Sequence, residues 1–152
     1  MPTADPAVIR ADDGAFYVYA TQGIDADSVM CNIQVLRSYN LINWTHLGDA
    51  LPKKPEWARS TQNFWAPHVT RHDNKYYMYY SAEPESEVKT GTDLGLCLAV
   101  DVSDNPAGPF IDSGKPLISG DGFDDIDPMV FNYHVSGKNF CLCLKKVDSI
   151  KN

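Results

Sequence analysis

Apolar and polar positions alternate along this chain in short stretches, and no segment keeps a helical period over several turns. The stretches are rich in aromatic and β-branched residues, which favour strands over helices. The clearest two cover residues 15–21 and 75–81, and each follows a turn-forming group, Asp12-Asp13-Gly14 or Asp73-Asn74. This pattern predicts short β-strands joined by tight turns.

The strand pattern repeats along the chain. Pro6, Pro67 and Pro128 each precede a strand-like segment, and both intervals between these prolines are 61 residues. The first two units each continue with two further strand-like stretches, at 33–38 and 44–51 in the first and at 96–102 and 110–117 in the second. Four short strands recurring every ~60 residues are typical of β-propeller blades. A β-sandwich also contains many short strands, but it does not predict an equal spacing of prolines.

We therefore predict an all-β protein, a β-propeller of about 2.5 four-stranded blades. The first blade is expected at about 4–56, the second at about 65–118 and a half blade at 126–144. Together these form a partial propeller over residues 1–144, and residues 145–152 form a polar C-terminal tail.

Composition narrows the class of partner. The chain has 13 Lys and Arg against 20 Asp and Glu, a net charge of −7, which argues against a nucleic-acid surface. No apolar run approaches the ~20 residues of a membrane span. Residues 1–20 lack the basic start and apolar stretch of a signal peptide, which fits a cytoplasmic protein or a secreted one whose signal lies outside this sequence. We expect a neutral partner such as a sugar.

The four cysteines have no CxxC spacing, so we predict packed free thiols and no zinc site. Six sequence segments carry a family resemblance: ADPAVIR at 4–10, FWAPHV at 64–69, KYYMYYSA at 75–82, SDNPAGPF at 103–110, DSGKPLI at 112–118 and IDPMVF at 126–131. In this order and at this spacing they resemble glycoside hydrolase family 43 over about 4–143. The match covers about the first half of a typical catalytic domain of that family. It implies a five-bladed propeller that cleaves xylosides and arabinosides of plant cell walls.

The resemblance assigns two catalytic residues. Asp5, in Ala-Asp-Pro, matches the general base, and Asp127, in Ile-Asp-Pro, matches the acid that modulates the proton donor and orients substrate. The general-acid Glu and a later histidine associated with a central cation have no match here, and Glu83 is a poor reserve for the acid. An inverting glycosidase needs one carboxylate to activate water and one acid to protonate the leaving oxygen. The alternative is that Asp-Pro is simply a turn, but Ala66 in the middle repeat indicates that the fold needs no acid there.

Three further residues are predicted to bind substrate. Trp65 resembles the family's pocket tryptophan, whose ring packs against a sugar, although Trp is also common in packing between blades. Phe64 and His68 are weaker candidates, each with a structural role as its alternative. No cofactor is expected. The acidic stretch around Asp121, Asp124 and Asp125 has oxygen ligands of the kind that bind Ca²⁺, but a solvated loop is the simpler interpretation.

An open half blade leaves a strand edge that tends to pair with another chain. Two copies of 2.5 blades make the family's five, so we expect a two-fold homodimer that closes the ring. In that ring, repulsion among the gathered aspartates would keep one protonated to serve as the acid. The predicted function is an inverting hydrolase of arabinose- or xylose-containing oligosaccharides or polysaccharides. The alternatives are an inactive sugar-binding remnant and a scaffold propeller.

Overall fold

The computed structural model describes residues 3–85, 95–119, 125–133 and 138–145. Within these ranges the chain is all-β and antiparallel, with one 3-10 turn at Glu56–Ala58, and the expected fold class is confirmed at this level. The strands are β1 Ala7–Arg10, β2 Phe16–Ala20, β3 Gly23–Ile24, β4 Met30–Cys31, β5 Gln34–Ser38, β6 Thr45–Asp49, β7 Phe64–His72, β8 Lys75–Ala82, β9 Cys97–Ser103, β10 Ile111–Asp112, β11 Asp125–Tyr133 and β12 Lys138–Lys145.

The strands form three sheets that follow the repeat. The first sheet has the order β1-β2-β5-β6, the second β7-β8-β9-β10, and the third pairs β11 with β12. Each sheet is an antiparallel meander, so its first strand lies at one edge. In the first sheet this strand begins directly after the repeated proline, and in the other two sheets the strand contains the proline. This order places β1, β7 and β11 at equivalent positions in their sheets.

Two local features differ from the strand prediction. The predicted strand at 110–117 shortens to Ile111–Asp112 plus one bridge between Leu98 and Ile118, because Pro109 and Pro116 have no N–H to donate to a ladder. A small hairpin, β3–β4, was not predicted. Asp25 closes its turn by accepting hydrogen bonds from the backbone N–H groups of Asp27 and Val29, a local contact that hydrophobic alternation does not reveal.

The hydrophobic core lies between the first and second sheets. Its largest fully buried members include Tyr19, Ile33 and Leu51 from one side and Phe64, Met78, Tyr80 and Phe110 from the other. Hydrogen bonds also cross this boundary. For example, the Tyr19 hydroxyl donates to the Pro106 carbonyl at 2.5 Å, and the Phe110 N–H donates to the Ala50 carbonyl at 2.9 Å. The two sheets therefore share one core.

Cys31 and Cys97 are both buried and neither forms a disulfide, as predicted. Cys141 and Cys143 lie in β12, of which the backbone is described. In the part of the chain that the structure covers, no helix has the length and apolar character to cross a membrane.

Candidate functional site

The residue before each repeated proline has an unusual backbone. Asp5, Ala66 and Asp127 have φ values of 50°, 47° and 55°, in the left-handed region. In β7 the pairing register shifts between Trp65 and His68, and β11 in the third sheet shows the same irregularity between Ile126 and Met129. A left-handed residue costs roughly 1–2 kcal/mol, and Asp tolerates it better than Ala does. Because Ala66 adopts the same backbone, the local fold does not require a carboxylate at this position.

These three bends surround one open cavity of about 370 Å³. Its lining comes from equivalent segments of the three sheets: Asp5, Pro6, Ala7 and Val8; Ala66, Pro67 and His68; Asp127, Pro128 and Met129. Asp5 and Asp127, which are 122 positions apart in the sequence, therefore face the same space, and both are exposed to solvent. The arrangement can present two carboxylates to a ligand in the cavity.

The Asp5 carboxylate is held by Thr21, a residue that the sequence analysis did not select. The Thr21 hydroxyl donates to Asp5 Oδ2 at 2.9 Å and accepts a hydrogen bond from the Ala66 N–H at 3.0 Å. Thr21 lies directly after β2, and in the second sheet the corresponding residue is Ser81. The only sequence signal was a hydroxyl residue at the same place in both units.

His68 connects the second sheet to the third beside the cavity. Its Nδ1 accepts a hydrogen bond from the Val130 N–H at 3.3 Å, three residues beyond Asp127. Desolvation by burial lowers the pKa of His68, which favours the neutral imidazole. Because Nδ1 is an acceptor, the proton of the neutral ring lies on Nε2, where it can be donated. His68 is thus a hydrogen-bond donor on the cavity wall.

The two aromatic candidates are placed differently. Trp65 is 36% exposed and precedes Ala66 in the chain, but it is not among the described residues that line the cavity. Phe64 is 0% exposed, with its ring centroid 6.1 Å from that of Tyr80 and 5.8 Å from Lys54 Nζ. The Phe64 ring is a core group with no surface open to a sugar, whereas Trp65 keeps part of its surface exposed.

Glu83 and Glu85 accept hydrogen bonds from the loop that precedes β7. The Glu83 carboxylate accepts hydrogen bonds from Thr61 Oγ1 at 2.9 Å and from Asn63 Nδ2 at 2.8 Å. Glu85 accepts from the backbone and hydroxyl of Ser60, and these bonds lower the pKa of Glu85. Neither residue lines the cavity among the residues described, and Glu87 lies outside that range.

One aspartate of the second sheet, Asp101, is buried away from the cavity. Asp101 is 0% exposed, and both of its carboxylate oxygens accept from the Tyr80 hydroxyl at 3.2 Å. Burial, aided by the charge of Asp112, raises the pKa of Asp101 to about 7. Strand alternation in β9 puts Asp101 on the same face as Ala99, which is the sequence signal for its burial. It belongs to the core and not to the cavity.

A larger open groove of about 610 Å³ lies along β9 and β10. Two of its charged lining groups, Lys75 and Asp104, pair with each other at 2.7 Å. Among the residues that the structure describes, no cluster of three or more His, Cys, Asp or Glu side chains could hold a metal. Asp121 and Asp124 lie outside those residues, and Asp125 is described by its backbone.

Comparison with known proteins gives a consistent set of similarities. The sequence model of the glycosyl hydrolases family 43 matches residues 2–150. The chain is 30% identical over 131 residues to extracellular endo-α-(1→5)-L-arabinanase 2 of Bacillus subtilis (strain 168), covering 76% of this chain and 24% of that protein. It is 26% identical over 147 residues to a xylosidase/arabinosidase of Bacteroides ovatus, covering 87% of this chain and 42% of that protein.

A solved structure gives the same result. A family 43 β-xylosidase/α-arabinofuranosidase from a compost microbial metagenome, in complex with xylotriose, aligns with a TM-score of 0.69 and 32% identity. The alignment covers 91% of this chain and 41% of that one. The chain thus spans roughly a quarter to two fifths of the length of the proteins it matches.

Proposed function

The chain belongs to glycosyl hydrolases family 43, and from that premise we propose that its cavity binds pentose-containing oligosaccharides or polysaccharides and contributes to inverting hydrolysis of their glycosidic bonds. One observation carries the proposal. Asp5 and Asp127 bring two carboxylates to the same cavity, whereas Ala66 adopts the same backbone without one. The acids are therefore not a by-product of the turn that precedes each proline.

The proposed chemistry gives the two aspartates different roles. Asp5 takes a proton from a water molecule, which attacks the anomeric carbon as the bond to the leaving oxygen breaks. An acid on the opposite side protonates that oxygen, and the configuration inverts. Asp127 orients the sugar and biases the acid toward its protonated form by like-charge repulsion. The two carboxyl groups that act on water and leaving group need a separation of ~6.5–9.5 Å.

The substrate class follows from the relatives and from the cavity wall. The similar proteins are named as arabinanase, xylosidase/arabinosidase and β-xylosidase/α-arabinofuranosidase, so arabinose and xylose units are proposed for this chain. Trp65, which is 36% exposed and precedes Ala66 of the cavity lining, is proposed to pack against the C–H face of a sugar. The Nε2–H of His68 suits a sugar hydroxyl.

We further propose that the three sheets are two propeller blades and a half blade, which a second copy completes to five. The face of the first sheet that points away from the shared core supports this. Val8 lies opposite Val18, and Val18 lies opposite Leu36, in an apolar row outside that core. Val8 is 52% exposed. In the closed ring this row packs against the partner, and an aspartate of the second copy provides the acid.

Hydrolysis of aryl α-L-arabinofuranoside and aryl β-D-xyloside by the purified chain tests the proposed activity. Loss of a general base lowers the rate about 10²–10⁴-fold, so Asp5→Asn should abolish detectable turnover. Asp27→Asn is the matched control, because Asp27 is an exposed acid in the β3–β4 turn, outside the cavity. Equal rates for the parent and Asp5→Asn would overturn the assignment of the base.

An inactive sugar-binding module is the second candidate. It is favoured by the cavity lining, because Asp5 and Asp127 are the only carboxylates among the described residues that surround it. Binding of xylotriose or arabinotriose in calorimetry, without turnover of either aryl glycoside, would support this module. Turnover that depends on Asp5 would exclude it.

A further inference from the structure

The side chain of Asp5, the proposed general base, accepts one hydrogen bond from the described residues. Asp5 precedes β1 and is exposed, and its Oδ2 accepts the Thr21 hydroxyl at 2.9 Å. Its other carboxylate oxygen accepts no hydrogen bond from any residue that the structure describes. A water molecule in the cavity can therefore approach that second oxygen while Thr21 holds the first.

The Thr21 hydroxyl has little freedom to turn. A hydroxyl has one hydrogen to donate, and Thr21 gives it to Asp5. One of its lone pairs accepts the N–H of Ala66, at 3.0 Å, from the neighbouring sheet. Because both bonds must be made at once, the hydrogen is directed at the carboxylate. The same contact satisfies the N–H of a residue whose left-handed backbone is unfavourable for alanine.

The backbone of Thr21 is fixed from two sides. Its N–H donates to the Ala4 carbonyl at 3.1 Å, and its carbonyl accepts the Gln34 Nε2–H at 2.9 Å. Gln34 is 1% exposed and packs on Gly23, where an added Cβ would come within 2.4 Å of Gln34 Nε2. Gly23 therefore leaves the space that Gln34 needs to reach Thr21.

The second sheet provides an internal comparison. Ser81 occupies the place of Thr21, opposite Trp65 in the register, and the residue before its proline is Ala66 instead of an acid. The Ser81 hydroxyl is fully buried and makes no hydrogen bond to any described residue. The hydroxyl at this position therefore donates a hydrogen bond in the first sheet, where an aspartate precedes the proline. In the second sheet, where an alanine precedes the proline, the hydroxyl makes no hydrogen bond to the described residues.

We infer that Thr21 is a positioning residue for Asp5: its hydroxyl selects which carboxylate oxygen faces water and links that choice to Ala66 of the second sheet. This inference rests on the proposed function for its role in hydrolysis. Thr21 itself does not touch the reacting atoms.

The test compares Thr21→Val, which keeps the shape and removes the hydroxyl, with Thr21→Ser, which keeps the hydroxyl. Misplacement of a catalytic group costs up to about 100-fold, so Thr21→Val should lower kcat about 10–100-fold with KM changed less than about twofold. Thr21→Ser should recover kcat to within about threefold of the parent, because the donor remains. Thr70→Val is the matched control, since Thr70 lies in β7 outside the cavity lining.

Two nuclear magnetic resonance readouts do not depend on turnover. In Thr21→Val the Ala66 amide should exchange with solvent about tenfold faster or more, and the Asp5 ¹³Cγ resonance should shift; Thr21→Ser should change neither. An unchanged exchange rate and resonance in Thr21→Val would overturn the inference. If the parent shows no hydrolysis but both readouts respond, the proposed activity fails and the positioning of Asp5 stands.

Discussion

A buried carboxyl group gives the protein a pH dependence that can be assigned to one residue. Asp101 lies in the core with the Tyr80 hydroxyl as its partner, and burial raises the pKa of Asp101 to about 7. The folded state therefore binds this proton more tightly than the unfolded state does. Its contribution to stability is complete below the ordinary carboxyl pKa near 4 and is lost as the pH rises through about 7.

We predict that the free energy of unfolding falls between pH 4.5 and pH 8 by up to about 1.4 kcal/mol per pH unit from this group. Asp101→Asn should flatten that slope, because the amide does not ionise and can still bond to Tyr80. Urea unfolding at several pH values measures the effect, with Asp27→Asn as an exposed control. Equal slopes for Asp101→Asn and the parent would contradict the assignment.

Candidate site residues could be selected from the sequence only where a family motif and the repeat marked them. Asp5 and Asp127 were selected because each lies in an Asp-Pro pair of a segment that resembles family 43, at a fixed spacing. Thr21 could not, since its bond to Ala66 joins two sheets and depends on a backbone bend that alternation does not encode. Phe64 was selected as a substrate-binding candidate beside Trp65. Trp65 is partly exposed, but Phe64 points into the core.

At the scale of the strands and their connections, two glycines with different surroundings flank β10, Gly108 before it and Gly114 after it. Gly108 and Gly114 have φ values of +86° and +96°. A Cβ on Gly108 would lie 2.6 Å from the Ala50 carbonyl oxygen, whereas a Cβ on Gly114 would meet nothing within 4 Å. Both glycines avoid backbone strain, but only Gly108 also allows close contact between the two sheets.

Alanine at Gly114 should therefore cost about 1 kcal/mol of stability through backbone strain alone. Alanine at Gly108 should cost about 3 kcal/mol or more, because the clash with Ala50 adds to the strain. Denaturant unfolding of the two variants gives the comparison. Similar losses for both would show that the contact at Ala50 is not a tight one.

Strand positions followed closely from alternation and turn residues, because those features are local. The exceptions were β10, shortened by Pro109 and Pro116, and the β3–β4 hairpin, closed by Asp25. Both depend on hydrogen-bond details that a pattern of apolar residues does not contain.

For the whole molecule, the first sheet has two faces with different environments. One face belongs to the core shared with the second sheet, and the other carries the apolar row of Val8, Val18 and Leu36. The sequence repeat indicated how many sheets to expect, but which faces remain open depends on how the sheets pack. The proposed ring of five blades gives the open face a partner in a second copy.

Light scattering at micromolar concentration should accordingly give twice the mass of a single chain. Val8→Asp should shift the protein toward monomer, because it places a charge in the proposed interface. Ile42→Asp is the control, since Ile42 is exposed in a turn of the same sheet and lies outside the row. A monomeric parent would contradict the proposed dimer.

The cavity between the three bends before Pro6, Pro67 and Pro128 is the proposed sugar site. Titration of the ¹⁵N-labelled chain with xylotriose and arabinotriose tests it without requiring turnover. We expect the amide shifts to concentrate at Ala7, Ala66, His68 and Met129, which line that cavity. Shifts confined to Ser103 and Asn105 of the larger groove, or no saturable shifts at all, would contradict it.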